Sequence, residues 1–416
     1  VRRLAAAAAA VLLGPLAQAG GAAPCPGITG SGGWSSITMP AGAFTTAFAL
    51  APVRGRPDTL YAAQGRVVHR SADGGCTWQA AFSLDALPAT SVAGKAVNYT
   101  VLSLSVGPAP AGAPAPVWLL AGDSLSTLTA PMPVLTAVSR DGGKTWVAHE
   151  PAPAQSVAPE APGGYPQCTN VSRLLTAPQP GTAYLHCDLI SLGTFLLLVG
   201  YCRTAFYVTR DWGATWETVF GRVADAARAS EPGLGCTPAY VAPPQADRDL
   251  RGVVWTLQPD GVRRSAKDGR APAMFAPLPV SSEYFTGMDV GPLRSGRPVV
   301  LLRSSARLQT TTGGKPKPLA PMPLKTSERG LAISGAVLDG TDRIFVAYLD
   351  AQGHSAGWTL DVVRGTWQRL GAPPPRADKT EAWQTYRTLD IAYQPGSRYV
   401  YVHSDTEGRV LRHALP

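Results

Sequence analysis

Charge is scarce in this 416-residue chain: only 16% of its residues are Asp, Glu, Lys or Arg. The 37 Lys and Arg outnumber the 28 Asp and Glu, a formal charge of +9, yet no run of five or more basic residues occurs. Without a basic stripe, nucleic acid is not an expected partner. Histidine is scarce too, six in all. His69, His186, His354, His403 and His413 stand apart without metal-ligand spacing, so no metal is expected. The six cysteines include no Cys-x-x-Cys pair, which leaves zinc and dithiol motifs unsupported. The Gly-rich stretches do not open helices, so there is no phosphate loop and no cofactor to expect. Past the N-terminus no apolar run reaches the roughly 20 residues of a bilayer span. The best candidate, Leu189 to Val199, is too short.

What the chain has in excess is turn-forming residues. Its 44 Gly and 39 Pro make up about a fifth of the sequence, against roughly 12% in an average protein. Both weaken helix interiors, so a helical fold is excluded. Ten Trp and 13 Tyr supply the aromatic mass of a packed core. Turn-rich all-β is the expected class.

The first residues have a different character. Arg2 and Arg3 precede an apolar stretch from Leu4 to Leu16, and Ala17-Gln18-Ala19 fits a small-x-small cleavage site. Residues 1–23 therefore read as a signal peptide and 29–416 as the folded domain. The expected location is secreted or extracytoplasmic, with no membrane span after cleavage. The Ala/Pro/Arg bias suggests a bacterial source. Export makes disulfides the default for an even cysteine count. Cys187 and Cys202 bracket an apolar excursion and are one candidate pair, Cys168 with Cys236 a second, Cys25 with Cys76 the third. This is one of 15 connectivities.

An internal repeat organises the chain. Ser71-Ala72-Asp73-Gly74-Gly75-Cys76-Thr77-Trp78 recurs as Ser139-Arg140-Asp141-Gly142-Gly143-Lys144-Thr145-Trp146 and as Thr209-Arg210-Asp211-Trp212-Gly213-Ala214-Thr215-Trp216. The shared pattern is Ser/Thr-x-Asp-x-Gly-x-Thr-Trp. Each position suits a hairpin turn. A short Asp side chain accepts backbone N–H bonds two residues on, and Gly supplies a positive φ. The hydroxyls tie the loop ends, and Trp opens the next strand with a large buried area. These roles make Asp73, Asp141 and Asp211 structural rather than catalytic. Degenerate copies follow at 261–269, 310–315 and 360–367, the last keeping only Gly365-Thr366-Trp367.

The motif resembles the Asp-box of the BNR-repeat β-propellers, a group that includes sialidase-like, sortilin-like and photosystem II assembly factor-like proteins. The resemblance covers nearly the whole chain after the signal and implies a propeller with its boxes at the blade periphery. Counting repeats predicts one seven-bladed ring, with blades over 41–84, 97–150, 169–222, 237–280, 284–324, 330–371 and 384–416. The last blade lacks a strand, which residues 29–40 supply through the half-motif Gly32-Gly33-Trp34-Ser35-Ser36-Ile37-Thr38-Met39-Pro40, closing the ring without exposed edges. Six blades, with one unit an insertion, is the alternative.

Box and ring specify fold, not activity. A sialidase would need an arginine trio for a carboxylate, a Tyr–Glu nucleophile pair and an Asp acid/base. The Arg-Ile-Pro signature of that family is absent, and Arg54 and Arg56 read as part of a turn. Asp289 and Asp390 lie on expected innermost strands, where they could form an acid/base pair or bond backbone amides. Glu283 with Tyr284 is a weaker pair. The expected function is a monomeric, non-catalytic module binding a glycan or protein ligand at a funnel mouth. The alternative is a sialidase-like glycoside hydrolase with a diverged site.

Overall fold

The computed structural model describes residues 29–37, 39, 48–86, 91–92, 95–96, 99–109, 113–123, 134–149, 173–191, 201–223, 239–241, 252–258, 260–265, 272–278, 285–304, 307–320, 322, 332–349, 355–374, 389–404 and 409–415. The signal segment, Glu283 and Tyr284 lie outside them. Seven four-stranded antiparallel sheets form the blades of a β-propeller, so the count is seven and not six. Apart from a 3-10 turn at Leu84–Ala86, the described elements are all strands.

The innermost strands of blades I to VII are Phe48–Pro52, Tyr99–Val106, Arg173–Thr176, Ala239–Val241, Phe285–Pro292, Ala332–Leu338 and Leu389–Ala392. Each touches the next around the ring, and the seventh touches the first. Burial falls from the middle of a blade to its rim. The second strands Leu60–Gln64 and Arg343–Leu349 are buried almost throughout, because neighbouring blades cover both faces. That double cover is why they read as continuous apolar runs rather than alternating ones. The outer strands Gln79–Ser83 and Thr366–Leu370 are largely exposed and carry polar residues.

The last blade is built from both ends of the sequence. Trp34–Ile37 pairs antiparallel with Arg409–Ala414, with Trp34 opposite His413 and Ile37 opposite Val410. Trp34 is 2% exposed and meets His413 edge-on at 4.9 Å. A buried Trp removes roughly 150–250 Å² from water, a gross gain of about 4–6 kcal/mol.

Seven apolar clusters fill the seven seams between blades. The boxes belong to these seams. Trp78 packs between blades VII and I, Trp146 between I and II, and Trp216 between II and III. The three boxes share one hydrogen-bond network. In the first, Ser71 Oγ donates to Asp73 Oδ1 at 2.8 Å and accepts the Gly75 amide at 2.8 Å. Asp73 Oδ1 accepts the Cys76 and Thr77 amides, and Thr77 Oγ1 donates to Asp73 Oδ2 at 2.6 Å. Ser139, Asp141, Gly143 and Thr145 repeat these distances to within 0.1 Å, and so do Thr209, Asp211, Gly213 and Thr215. The carboxylate thus reaches the amide four residues on in all three boxes, and the amide three residues on as well in the first two, a wider turn than the two-residue reach expected from the sequence. Burial works to raise the Asp141 carboxyl, but bonds from Thr145, Ser139 and Lys144 prevail and hold it at about 2.

Box glycines turn left-handed: φ is 93° at Gly75, 89° at Gly143 and 90° at Gly213. The residue before is also positive, 72° at Gly74 and Gly142, and in the third box Trp212 takes that role at 66°. Its ring stacks on Trp118 at 5.9 Å, and Arg140 lies over it at 4.6 Å. Each box is seated on the blade before it. A Cβ at Gly143 would meet Tyr61 of blade I, whose hydroxyl donates to the Gly142 carbonyl at 2.7 Å.

Cys76 is disulfide-bonded; the side chains of the other five cysteines lie outside the described residues. The proposed Cys187–Cys202 pair does not suit the strand register. Cys187 lies opposite Ala205 and Cys202 opposite Ile190, an offset of three positions, or about 10 Å along the strand. A disulfide spans at most about 7 Å between Cα atoms.

Candidate functional site: the central channel

The inner strands line a cavity of about 670 Å³ along the ring axis. Most of its wall is small or aliphatic, including Ala49, Leu104, Leu174, Met288, Ala336 and Ile391. The charged side chains among the described lining are Arg173, Asp289, Arg303, Asp339 and Asp390. Each blade starts with its inner strand, so the strand beginnings gather at one mouth and their ends at the other. The charges therefore divide into two tiers.

At the first mouth, Arg303 comes from the second strand of blade V, Pro298–Ser304, and crosses above Gly287 on the inner strand. Gly287 makes room: a Cβ there would lie 2.7 Å from Arg303 Nε. Nη1 donates to Ser334 Oγ of blade VI at 2.9 Å and to the Leu389 carbonyl of blade VII at 3.2 Å. Asp390 Oδ1 stands 3.7 Å away on a side chain that is 64% exposed. Arg173, exposed at the start of the blade III inner strand, and His403 line the same cavity.

The second tier sits deeper, at the seam of blades V and VI. Asp289 Oδ2 accepts the backbone amide of Val337 at 2.7 Å. Asp339, just past the end of that blade VI strand, fits a notch left by Gly291, where a Cβ would approach its Oδ1 to 2.4 Å. Asp339 Oδ2 is sealed from solvent and has no hydrogen-bond partner among the described residues. Burial, with the neighbouring Asp289 charge adding to it and Arg54 opposing, pushes the Asp339 carboxyl up to about 8. It is therefore a neutral acid at pH 7. Tyr393 follows the blade VII inner strand, and burial raises its hydroxyl well above the ordinary value. Tyr401 is raised by burial in the same way.

Asp289 and Asp390 both line the channel, but the structure does not bring them together, because blade VI stands between their blades. The carboxyl partner of Asp289 is Asp339, which sequence reasoning missed along with Tyr393 and Arg303. One signal was available: Arg54, Asp339 and Tyr393 all fall one or two residues after an inner strand, a position that aligning the blades would have exposed. Among the described lining there is no glutamate, and the described residues hold no group of three metal-ligating side chains. None of the described helices is long and apolar enough to cross a membrane.

No family model matches the chain, and no curated protein sequence matches it. Solved structures of similar fold include the GH74 xyloglucanase from Xanthomonas campestris, 16% identical with a TM-score of 0.49, covering 89% of this chain and 52% of that one. An ancestral GH74 enzyme is 12% identical with a TM-score of 0.49, covering 92% of this chain and 44% of its own. The chain thus spans about half the length of these two proteins. An alpha-L-arabinanase from Penicillium chrysogenum, complexed with arabinobiose, is 13% identical with a TM-score of 0.44, covering 94% and 98%.

Proposed function

We propose that the chain is an exported, monomeric propeller of the BNR/Asp-box type that binds a glycan or protein ligand at a mouth of its channel without turning it over. The observation that carries this reading is the occupation of the channel carboxylates. Asp289 holds a backbone amide, Asp339 is sealed on one oxygen, and Asp390 stands against Arg303. The channel tyrosines have no described glutamate beside them, and burial raises rather than lowers them. A tyrosine nucleophile needs the opposite environment. Glycan-array binding, run beside turnover of fluorogenic glycosides, tests the proposal. Binding without turnover supports it; turnover abolished by Asp390→Asn would overturn it.

A second reading, a diverged glycoside hydrolase, is favoured by one observation: a neutral carboxylic acid, Asp339, beside Asp289 inside a cavity. That is the charge arrangement of an acid paired with a carboxylate. This reading requires that Asp289→Asn and Asp339→Asn each abolish a measurable glycosidase activity while the fold survives.

A further inference from the structure

We propose that Asp289 and Asp339 form a one-proton clasp that keeps the seam between blades V and VI closed, and that loss of this proton opens the seam at the channel. The clasp is bracketed by two bonds across the same seam. The Val337 amide donates to Asp289 at 2.7 Å, and the Gly340 amide donates to the Pro292 carbonyl at 2.9 Å. Between them lie two acidic side chains, one from each blade, in a notch that Gly291 leaves open on the blade V side. With Asp339 protonated, the pair carries one negative charge. When that proton passes to solvent, two carboxylates share the notch, and the charge on Asp339 Oδ2 is buried with no donor to it among the described residues. Such a group is costly to keep buried.

The groups facing the pair come from three further places. Arg54, in the turn after the blade I inner strand, draws Asp339 toward the ionised form, but burial outweighs it. Tyr393, after the blade VII inner strand, is held neutral by burial and hydrogen-bonds the Asp339 backbone, so it adds no charge. Asp342, three residues on in the same hairpin, accepts the Arg294 amide at 3.2 Å.

The sign of the linkage follows from the raised carboxyl. The folded state keeps the Asp339 proton between its ordinary value of 3.8 and about 8, where the unfolded chain has lost it. The stability this proton supplies is full below 3.8, declines as pH rises and is gone above about 8. Hydrogen exchange read by mass spectrometry on peptides covering 285–292 and 332–340, from pH 6 to 9.5, tests the clasp. Rates are corrected for intrinsic base catalysis, and peptides over 99–106 of blade II serve as the internal standard. The expected result is a seam-selective loss of protection of tenfold or more between pH 6 and 8 that levels off above pH 8, absent in Asp339→Asn. Asp289→Asn, which leaves Asp339 buried but facing a neutral amide, gives a second variant and is expected to lose less seam protection than the parent over the same range. A seam that tracks blade II at every pH overturns the proposal, as does either folded variant opening like the parent protein.

Discussion

The Arg412 guanidinium donates from Nη1 to the Gly74 carbonyl at 2.6 Å, joining the last blade to the box of the first. Its Nε donates to Ser35 Oγ at 2.8 Å, on the strand that closes the ring, and the group stacks over Tyr399 at 4.4 Å. Arg412 is 2% exposed. One side chain therefore ties the closing strand, the last blade and the first box together. Replacing Arg412 with Met keeps the packing and leaves the Gly74 carbonyl and Ser35 without their donor. The expected loss is about 2–4 kcal/mol in urea unfolding, with Arg412→Lys recovering part of it.

Trp212 occupies a left-handed position that the other two boxes give to glycine. A side chain there carries about 1–2 kcal/mol of strain, offset by stacking on Trp118 and by the Arg140 cation. Both Trp212→Ala and Trp212→Gly lose the stacking, but only Ala keeps the strain. Trp212→Ala is expected to be the less stable by about 1 kcal/mol. Equal melting temperatures for the two would show that the local backbone relaxes.

The box carboxylates give the protein an acid limit. The Asp141 carboxyl is held at about 2, and those of Asp73 and Asp211 also lie below the ordinary 3.8. Their contribution is present above 3.8 and is lost as pH falls toward 2. All three are solvent-facing, so each effect is small. Asp141→Asn is expected to lower stability by about 1 kcal/mol at pH 7 and by less at pH 2. A pH-independent difference between variant and parent in calorimetry would contradict this.

Gly287 holds open the path of Arg303 to the first mouth. In Gly287→Ala the new methyl meets the far end of a flexible side chain, so the fold survives while Arg303 leaves Ser334 and Leu389. Stability should fall by about 1–2 kcal/mol. The glycan ligand identified on an array should lose at least tenfold in affinity by calorimetric titration. Unchanged affinity would move the ligand away from this mouth.

The ring was legible because its turns are chemically demanding. Each box needs an Asp that accepts the amide four residues on, beside a glycine at φ near 90°, so three copies survive as a visible pattern in the sequence. The half-motif at Trp34 was legible for a related reason, since a large aromatic has to fill the seam of blades VI and VII. Asp289 stood out as a carboxylate in an apolar strand. Its partner did not, because Asp339 lies 50 positions downstream and next to Gly340 reads as an ordinary turn residue. Gly287 and Gly291 were equally opaque: nothing local separates a glycine that admits a neighbouring side chain from one that turns the backbone. Those contacts depend on which strand each blade sets beside the next, which the ring decides and the local sequence does not.

Ser35 and Arg412 are 377 positions apart in the chain and bonded in space. A loop of that size forms late, although each doubling of length adds only about 0.6 kcal/mol to its closure. Until it forms, the six other blades stack as an open arc with an unpaired strand edge at one end and an apolar Trp34 unburied at the other. The meeting of the two ends is then expected to be the slow step of refolding. At high concentration the strand Trp34–Ile37 of one molecule competes for the open edge of another, so refolding yield should fall with concentration through exchanged dimers before it falls through disordered aggregate.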